Sequence, residues 1–188
     1  MSILPLIISP DPLLKQVAKE VEKVDAELQK LMDDMLQTMY HEKGIGLAAV
    51  QVGVLKRILV MDVNYESGRY ENQGCGDSHC EEVHVEDSSP IYMVNPKIIK
   101  SSAELSTFSE GCLSFPEIRA EIKRPEKVEV EYLDYHGKKQ ILKADGILAT
   151  CVQHEIDHLN GITFVDYLSK TKREMLLKKM GKLLRSRL

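Results

Sequence analysis

Gln153-His154-Glu155-Ile156-Asp157-His158 is the stretch whose reading decides how the rest of this chain is understood. It contains an H-E-x-x-H pattern. On a helix, residues four apart differ by about 400° of rotation, which leaves their side chains about 40° apart on one face. His154 and His158 can then hold one metal ion, with Glu155 beside them in reach of a water on that ion. The plainer alternative is a buried helix carrying two satisfied core histidines. Ordinary residue usage produces this pattern in a chain of this length only roughly once in a few hundred sequences, which favours the metal.

Outward from the motif, the helix starts near Asp145 or Gly146 and stops at Asn160-Gly161, a good C-terminal signal. Ile147, Cys151, His154 and His158 share a face, and Leu148, Val152 and Leu159 flank it. The metal face therefore continues the buried face, and the ion belongs in a partly buried cleft walled by Ile147 and Cys151. A catalytic site wants three protein ligands and an open position. Cys151, on the same helix face, and Cys112, in a strand-like segment that could cross the helix, are both candidates for the third. Asp or Glu ligands remain possible. A thiolate would bring more negative charge to the ion than a third histidine.

Upstream, Pro10-Asp11-Pro12 marks a turn, and Pro12 could open a short helix through about Lys19. Asp25 is an N-cap candidate. Leu28, Leu31, Met32, Met35, Leu36 and Met39 recur at helical spacing as a core stripe, ending near His41. Residues 44–49 fit the G-x-G-x-x-A form of a dinucleotide fingerprint. They follow a helix and precede a strand at 57–63, the reverse of the context that fingerprint needs. The better reading is a small-residue segment whose backbone approaches something closely, with Gln51 as its one side chain carrying both donor and acceptor atoms.

Residues 64–90 are rich in Gly, Ser, Asn, Asp and Glu and read as a long loop. Their Cys75, His79, Cys80 and His84 match no strong zinc spacing, so a surface insertion is favoured over a second metal knuckle. Strands are expected at 91–94 and 97–100, either side of Asn95-Pro96. Two more, at 127–135 and 138–143, flank a His136-Gly137 hairpin turn. Between these pairs, residues 110–116 form a short segment with a single Cys ahead of a Pro-enforced break.

The totals narrow the class. The chain has 188 residues, 43% of them apolar and 29% charged, enough for one domain with a proper core. A net charge of −4 gives no overall basic field for sequence-specific nucleic-acid binding. The first residues lack the pattern of a signal peptide, and no apolar run approaches a membrane span. Four unevenly placed cysteines suggest a reducing cytoplasm rather than a disulfide framework. Residues 170–188 hold eight Lys and Arg against one Glu, a local charge of +7, on an amphipathic helical pattern. That is either a solvated terminus or a docking element for a negatively charged partner.

Three separated stretches now carry a family likeness. Gly44-Ile45-Gly46-Leu47-Ala48-Ala49-Val50-Gln51 resembles the G-x-G-L-A-A-x-Q motif of the peptide deformylases. Glu110-Gly111-Cys112-Leu113-Ser114 resembles their E-G-C-L-S motif, and residues 153–161 resemble their Q-H-E-x-D-H-L-x-G motif. Order and spacing also fit, and the resemblance covers about residues 3–170. It implies an α+β fold: antiparallel or mixed β-sheets packed around a central metal-binding helix, with N-terminal helices and a C-terminal helix, in a single domain.

The resemblance selects Cys112, His154 and His158 as ligands and places Cys151 at the pocket wall. It implies Fe(II) as native metal, with Zn, Ni or Co able to replace it; the residues alone do not distinguish iron from zinc. The implied reaction removes formyl from the N-terminal formyl-methionine of new bacterial or organellar polypeptides. Glu155 would take a proton from a metal-activated water and deliver it to the leaving amine. Gln51 and the Leu113 N–H would hold the developing oxyanion together with the metal.

Ile45, Gly46, Glu110, Ile147 and Cys151 would border the substrate, and Arg119 would contact its backbone. The basic C-terminal helix resembles one that docks near the ribosome's exit tunnel. Two departures stand out: Val50 replaces a usual Pro or Thr, and the 64–90 interval is longer than in many relatives. The competing readings are an H-E-x-x-H metallopeptidase and a non-catalytic ribosome-associated protein with a structural metal.

Overall fold

Asp25 starts the first helix as its sequence position suggests. Its carboxylate accepts from the Leu28 N–H at 2.9 Å and opens α1, Ala26–His41. The computed structural model describes residues 2–64 and 88–185. After α1 come β1 (Gly46–Ala48), a 3-10 turn (Ala49–Val52) and β2 (Ile58–Met61). Then follow β3 (Ile91–Ser101), β4 (Leu105–Cys112), β5 (Phe115–Pro125), β6 (Lys127–Leu133) and β7 (Lys139–Asp145). The chain continues through α2 (Gly146–Leu159), a 3-10 turn (Phe164–Tyr167) and α3 (Lys170–Arg185). The cluster Cys75, His79, Cys80 and His84 lies outside the described residues.

Five strands form one sheet in the order β1-β2-β3-β6-β7, and β4 and β5 pair as a separate two-stranded ribbon. Every ladder is antiparallel; the only parallel pairing among the described residues is an isolated bridge between Lys19 and Lys56. The fold is thus α+β, with α2 in its middle. One core cluster joins Ala149, Val152, Ile156 and Leu159 of α2 to Leu59, Met61, Met93, Val128 and Val130 of the sheet. A second places Leu28, Met32, Met35 and Met39 of α1 against Leu47, Ile58 and Val60. Met32, Met35 and Met39 are completely buried, and each such side chain stabilises the fold by about 1.5–3 kcal/mol relative to exposure. A third packs Phe115, Ile118, Ala120 and Ile122 of β5 against Phe164, Val165 and Met180.

Three sequence expectations change. The first short helix is a 3-10 turn, Pro12–Lys15, and stops well before Lys19. Asn95-Pro96 does not separate two strands: β3 runs through it with register shifts against β6. Asn95 sits at φ 52°, and its amide bonds both backbone groups of Val21, at 2.9 and 2.8 Å. The dipeptide is therefore a bulge that ties the N-terminal segment to the sheet. Finally, residues 110–116 are the tip of a long hairpin: β4 runs to Cys112, β5 starts at Phe115, and Pro116 lies within β5 instead of breaking the chain's extended run. Ile118, Ala120, Ile122 and Arg124 of β5 are buried, alternating with exposed Arg119, Glu121 and Lys123. That period-2 pattern is obscured because the last inward position holds an arginine.

Candidate metal centre

Cys112 ends β4 where the hairpin register shifts, between Gly111 and Cys112. The shift aims its thiol at α2. Cys112 Sγ lies 3.2 Å from His158 Nε2, and the ligand atoms of Cys112, His154 and His158 all fall within 4.8 Å of one another. Helical spacing puts the two histidine rings side by side, with centroids 5.0 Å apart. Cys151 is buried on the same helix, but its Sγ contacts the Ile45 carbonyl at 3.5 Å and stands outside this cluster.

The two histidines sit in opposite electrostatic surroundings. His154 Nδ1 lies 2.8 Å from Glu110 Oε2. An ionised carboxylate only accepts, so Nδ1 carries the proton and Nε2 is left for the centre. Burial works against a charge on His154, but Cys112 and Glu110 outweigh it and raise its pKa well above the usual value. Surroundings that favour positive charge at this point also suit a cation. His158 Nδ1 has no partner among the described residues, and burial pushes its pKa far down, leaving a neutral ring. One cysteine sulfur and two imidazoles make a donor set that fits a divalent transition-metal ion. The residues fit a metal ion, as the motif implies.

Glu155 points into the same space. It is buried, its Oε2 has no partner among the described residues, and burial raises its pKa to about 7. A carboxyl poised near neutrality suits proton transfer in both directions. Gly46 makes room for it: a Cβ there would collide with Glu155 Oε1 and come within 2.9 Å of Cys151 Sγ. This is the close approach that the small-residue segment foreshadows.

Gln51, on the 3-10 turn after β1, is oriented by its neighbours. Its Oε1 accepts from the Ala48 N–H at 2.8 Å, which turns the amide NH2 to Ser114 Oγ at 3.2 Å and Cys112 Sγ at 3.4 Å. Leu113 occupies the turn after Cys112, and its side chain meets Gly44. Ile45 is half-buried, and Ile147 is exposed on the first turn of α2. Arg119 lies on the exposed face of the hairpin opposite Gly111.

Glu110 stands apart from the substrate-lining expectation. Both its oxygens are engaged: Arg124 Nε reaches Oε1 at 2.5 Å, and Arg124 Nη2 reaches Oε2 at 3.0 Å, alongside His154. Burial alone would raise the Glu110 pKa, yet His154 and Arg124 reverse the sign and hold it low. Its geometry is that of a carboxylate that fixes a metal-ligand ring. Arg124 and Tyr167 escape sequence reasoning. The usable signal for Arg124 is a charged residue at an inward strand position, which a buried carboxylate must meet.

Comparison with known proteins agrees with this geometry. A family model described as polypeptide deformylase matches residues 3–174. The peptide deformylase of Rhizobium meliloti is 49% identical over 187 residues, covering 100% of this chain and 97% of the relative. That of Pelagibacter ubique is 50% identical, covering 100% of this chain and 99% of the relative. The crystal structure of peptide deformylase from Ehrlichia chaffeensis superposes with a TM-score of 0.85 at 45% identity, covering 98% of each chain. A structure of the Ehrlichia enzyme with actinonin gives a TM-score of 0.83 at 47% identity, covering 97% of this chain and 98% of that one. With the motif match, the ligand cluster and the fold in agreement, this chain belongs to the polypeptide deformylase family.

Proposed function

We propose that the Cys112, His154 and His158 cluster, with Glu155 and Gln51, is the catalytic centre of this chain's deformylase reaction. The chain is a hydrolase that removes the formyl group from N-formyl-methionyl nascent peptides in a metal-dependent reaction. The observation that carries the site assignment is the meeting of three ligand atoms within 4.8 Å beside a buried carboxylate oxygen that no protein group occupies.

A divalent cation held by Cys112, His154 and His158 would supply Lewis acidity to water and to the formyl oxygen. Glu155 accepts the proton of the attacking water as its oxygen bonds to the formyl carbon. Charge builds on the formyl oxygen, and the Gln51 NH2, aimed by Ala48, donates to it. Leu113 N–H, in the turn beside Cys112, is the second donor. The C–N bond then breaks, Glu155 passes its proton to the amine, and formate leaves with a free N-terminus. Ile45, Gly46, Ile147 and Cys151 border the methionine side chain, and Arg119 takes the peptide backbone. Glu110 serves His154 instead.

Residues 1–188 make one catalytic domain in this reading; the insertion expected at 64–90 falls mostly outside the described residues. The resident metal is Fe(II), with Zn, Ni or Co as replacements. Its test is the metal content of anaerobically purified protein, with activity before and after air: loss on oxidation supports iron, and indifference favours zinc. No helix among the described residues is long and apolar enough to cross a membrane. We place the chain in the bacterial cytoplasm, where formylated chains emerge.

α3 presents exposed Lys172, Lys178, Lys179 and Lys182 while its Met180 side enters the core. Those lysines suit the anionic ribosome surface near the exit tunnel. Replacing the four with Glu tests docking without unwrapping the core. Ribosome co-sedimentation should fall while formate release from a free peptide holds; unchanged co-sedimentation rejects the docking.

The activity itself is tested by formate release from formyl-Met peptides against amine release from unformylated ones. Only the first should occur, and the reverse would favour a metallopeptidase.

A further inference from the structure

Behind the ligands runs a chain of contacts that the reaction above does not use. Tyr167 Oη donates to Asp157 Oδ2 at 2.8 Å, and Arg124 Nη1 reaches the same oxygen at 2.7 Å. The other edge of the Arg124 guanidinium holds Glu110 in a two-bond fork, and Glu110 holds His154. Arg124 and Glu110 are buried, Asp157 is mostly so, and Tyr167 is 51% exposed. The Tyr167 ring also lies under the guanidinium, 4.9 Å from ring centroid to Cζ.

Resting on the deformylase reading of the site, we propose that Tyr167 is a positioning residue for the metal centre, acting on His154 through Asp157, Arg124 and Glu110. A guanidinium is a rigid plane, so its tilt fixes the plane of the carboxylate it forks. Glu110 Oε2 serves Arg124 and His154 together, so the carboxylate plane in turn fixes the imidazole. What fixes the guanidinium is Asp157 at its free nitrogen, with the Tyr167 ring on its face and the Tyr167 hydroxyl oxygen at a longer 3.5 Å from that same nitrogen. His154 and Asp157 are one turn apart on α2, so the bracket closes on the helix that carries two ligands. Of the three residues that link Tyr167 to His154, Asp157 is the most exposed. The Tyr167 hydroxyl locks its Oδ2 on the protein side, where it can meet Arg124. Without that donor the carboxylate gains rotamers that leave Arg124 with one carboxylate instead of two.

The test uses holoenzyme loaded with Co(II), comparing Tyr167→Phe with Tyr135→Phe. The second removes a matched bond, from Tyr135 Oη to Asp33 Oδ2 at 3.0 Å, at the α1 core cluster, which contains none of the ligands. Tyr167→Phe should speed metal release to a chelator about three- to tenfold, the size of one net hydrogen bond, and shift the visible Co(II) absorption. Tyr135→Phe should change neither, whatever its melting temperature. In an Asp157→Asn background, Tyr167→Phe should add much less than it does alone, because the direct Arg124 Nη1 to Tyr167 Oη contact is long, 3.5 Å. The proposal is overturned if Tyr167→Phe leaves release and spectrum unchanged, if Tyr135→Phe accelerates release equally, or if the Asp157 and Tyr167 effects add. Failure of the deformylase reading would show separately, as loaded wild-type protein that releases no formate.

Discussion

Glu110 Oε2 and His154 Nδ1 lie 2.8 Å apart, and this contact between β4 and α2 decides which ring nitrogen faces Cys112. The E-G-C-L-S and Q-H-E-x-D-H motifs are thereby joined twice, once through the ligand cluster and once behind it. Glu110→Gln keeps the shape but removes the charge that favours a proton on Nδ1. Metal affinity should fall about 10- to 100-fold, measured by chelator competition. Unchanged affinity would mean that the contact does not orient the ring.

Gln51 reaches the site only because Ala48 holds its carbonyl at 2.8 Å. Gln51→Ala should retain stoichiometric metal, since Cys112, His154 and His158 are untouched. Steady-state kinetics should show kcat for formate release lowered by about 10²–10³, the cost of one lost oxyanion donor. A drop confined to KM would instead assign Gln51 to ground-state binding.

Gly46→Ala tests the crowding around Glu155. The new methyl must displace the carboxylate or the Cys151 thiol, because it would meet both. A displacement of about 1 Å can cost about 10² in rate. Formate release should fall by that order while metal content stays the same. Wild-type turnover would show that the wall is softer than the packing indicates.

Away from the site, Asp34 on α1 carries an acid-sensitive tie. Hydrogen bonding from Lys30 and from the Ser2 backbone lowers its pKa from 3.8 to about 2. A carboxylate with a depressed folded pKa contributes stability above its unfolded value and loses it as pH falls through the folded one. Asp34→Asn should therefore destabilise the protein at neutral pH. The gap from wild type should close between about pH 4 and pH 2. Denaturant midpoints across that range would show it, and a gap independent of pH would exclude the charge as its source.

Much of this arrangement is legible along the chain because its signals are local. The α1 stripe is set by 3.6-residue spacing, its start by Asp25, and the end of α2 by Asn160-Gly161. His154 and His158 need only one turn of helix to meet. Other features depend on contacts distant in sequence. The bulge at Asn95 exists because Val21 docks there, 74 residues away. Arg124 is buried because the fold brings Glu110 and Asp157 to it. Local residues leave Cys112, Cys151 or a carboxylate open as the third ligand. The hairpin register shift at Gly111 brings Cys112 to the histidines, while Cys151 packs beside Gly46.

The central claim is that Glu155 moves the proton in a hydrolysis carried by the Cys112, His154 and His158 centre. Its most direct test is Glu155→Gln, assayed for bound metal and for formate release from a formyl-Met peptide. Metal should remain stoichiometric, and release should fall by at least about 10²–10⁴, the contribution of general acid–base catalysis. Full hydrolytic rate with metal retained would contradict the account.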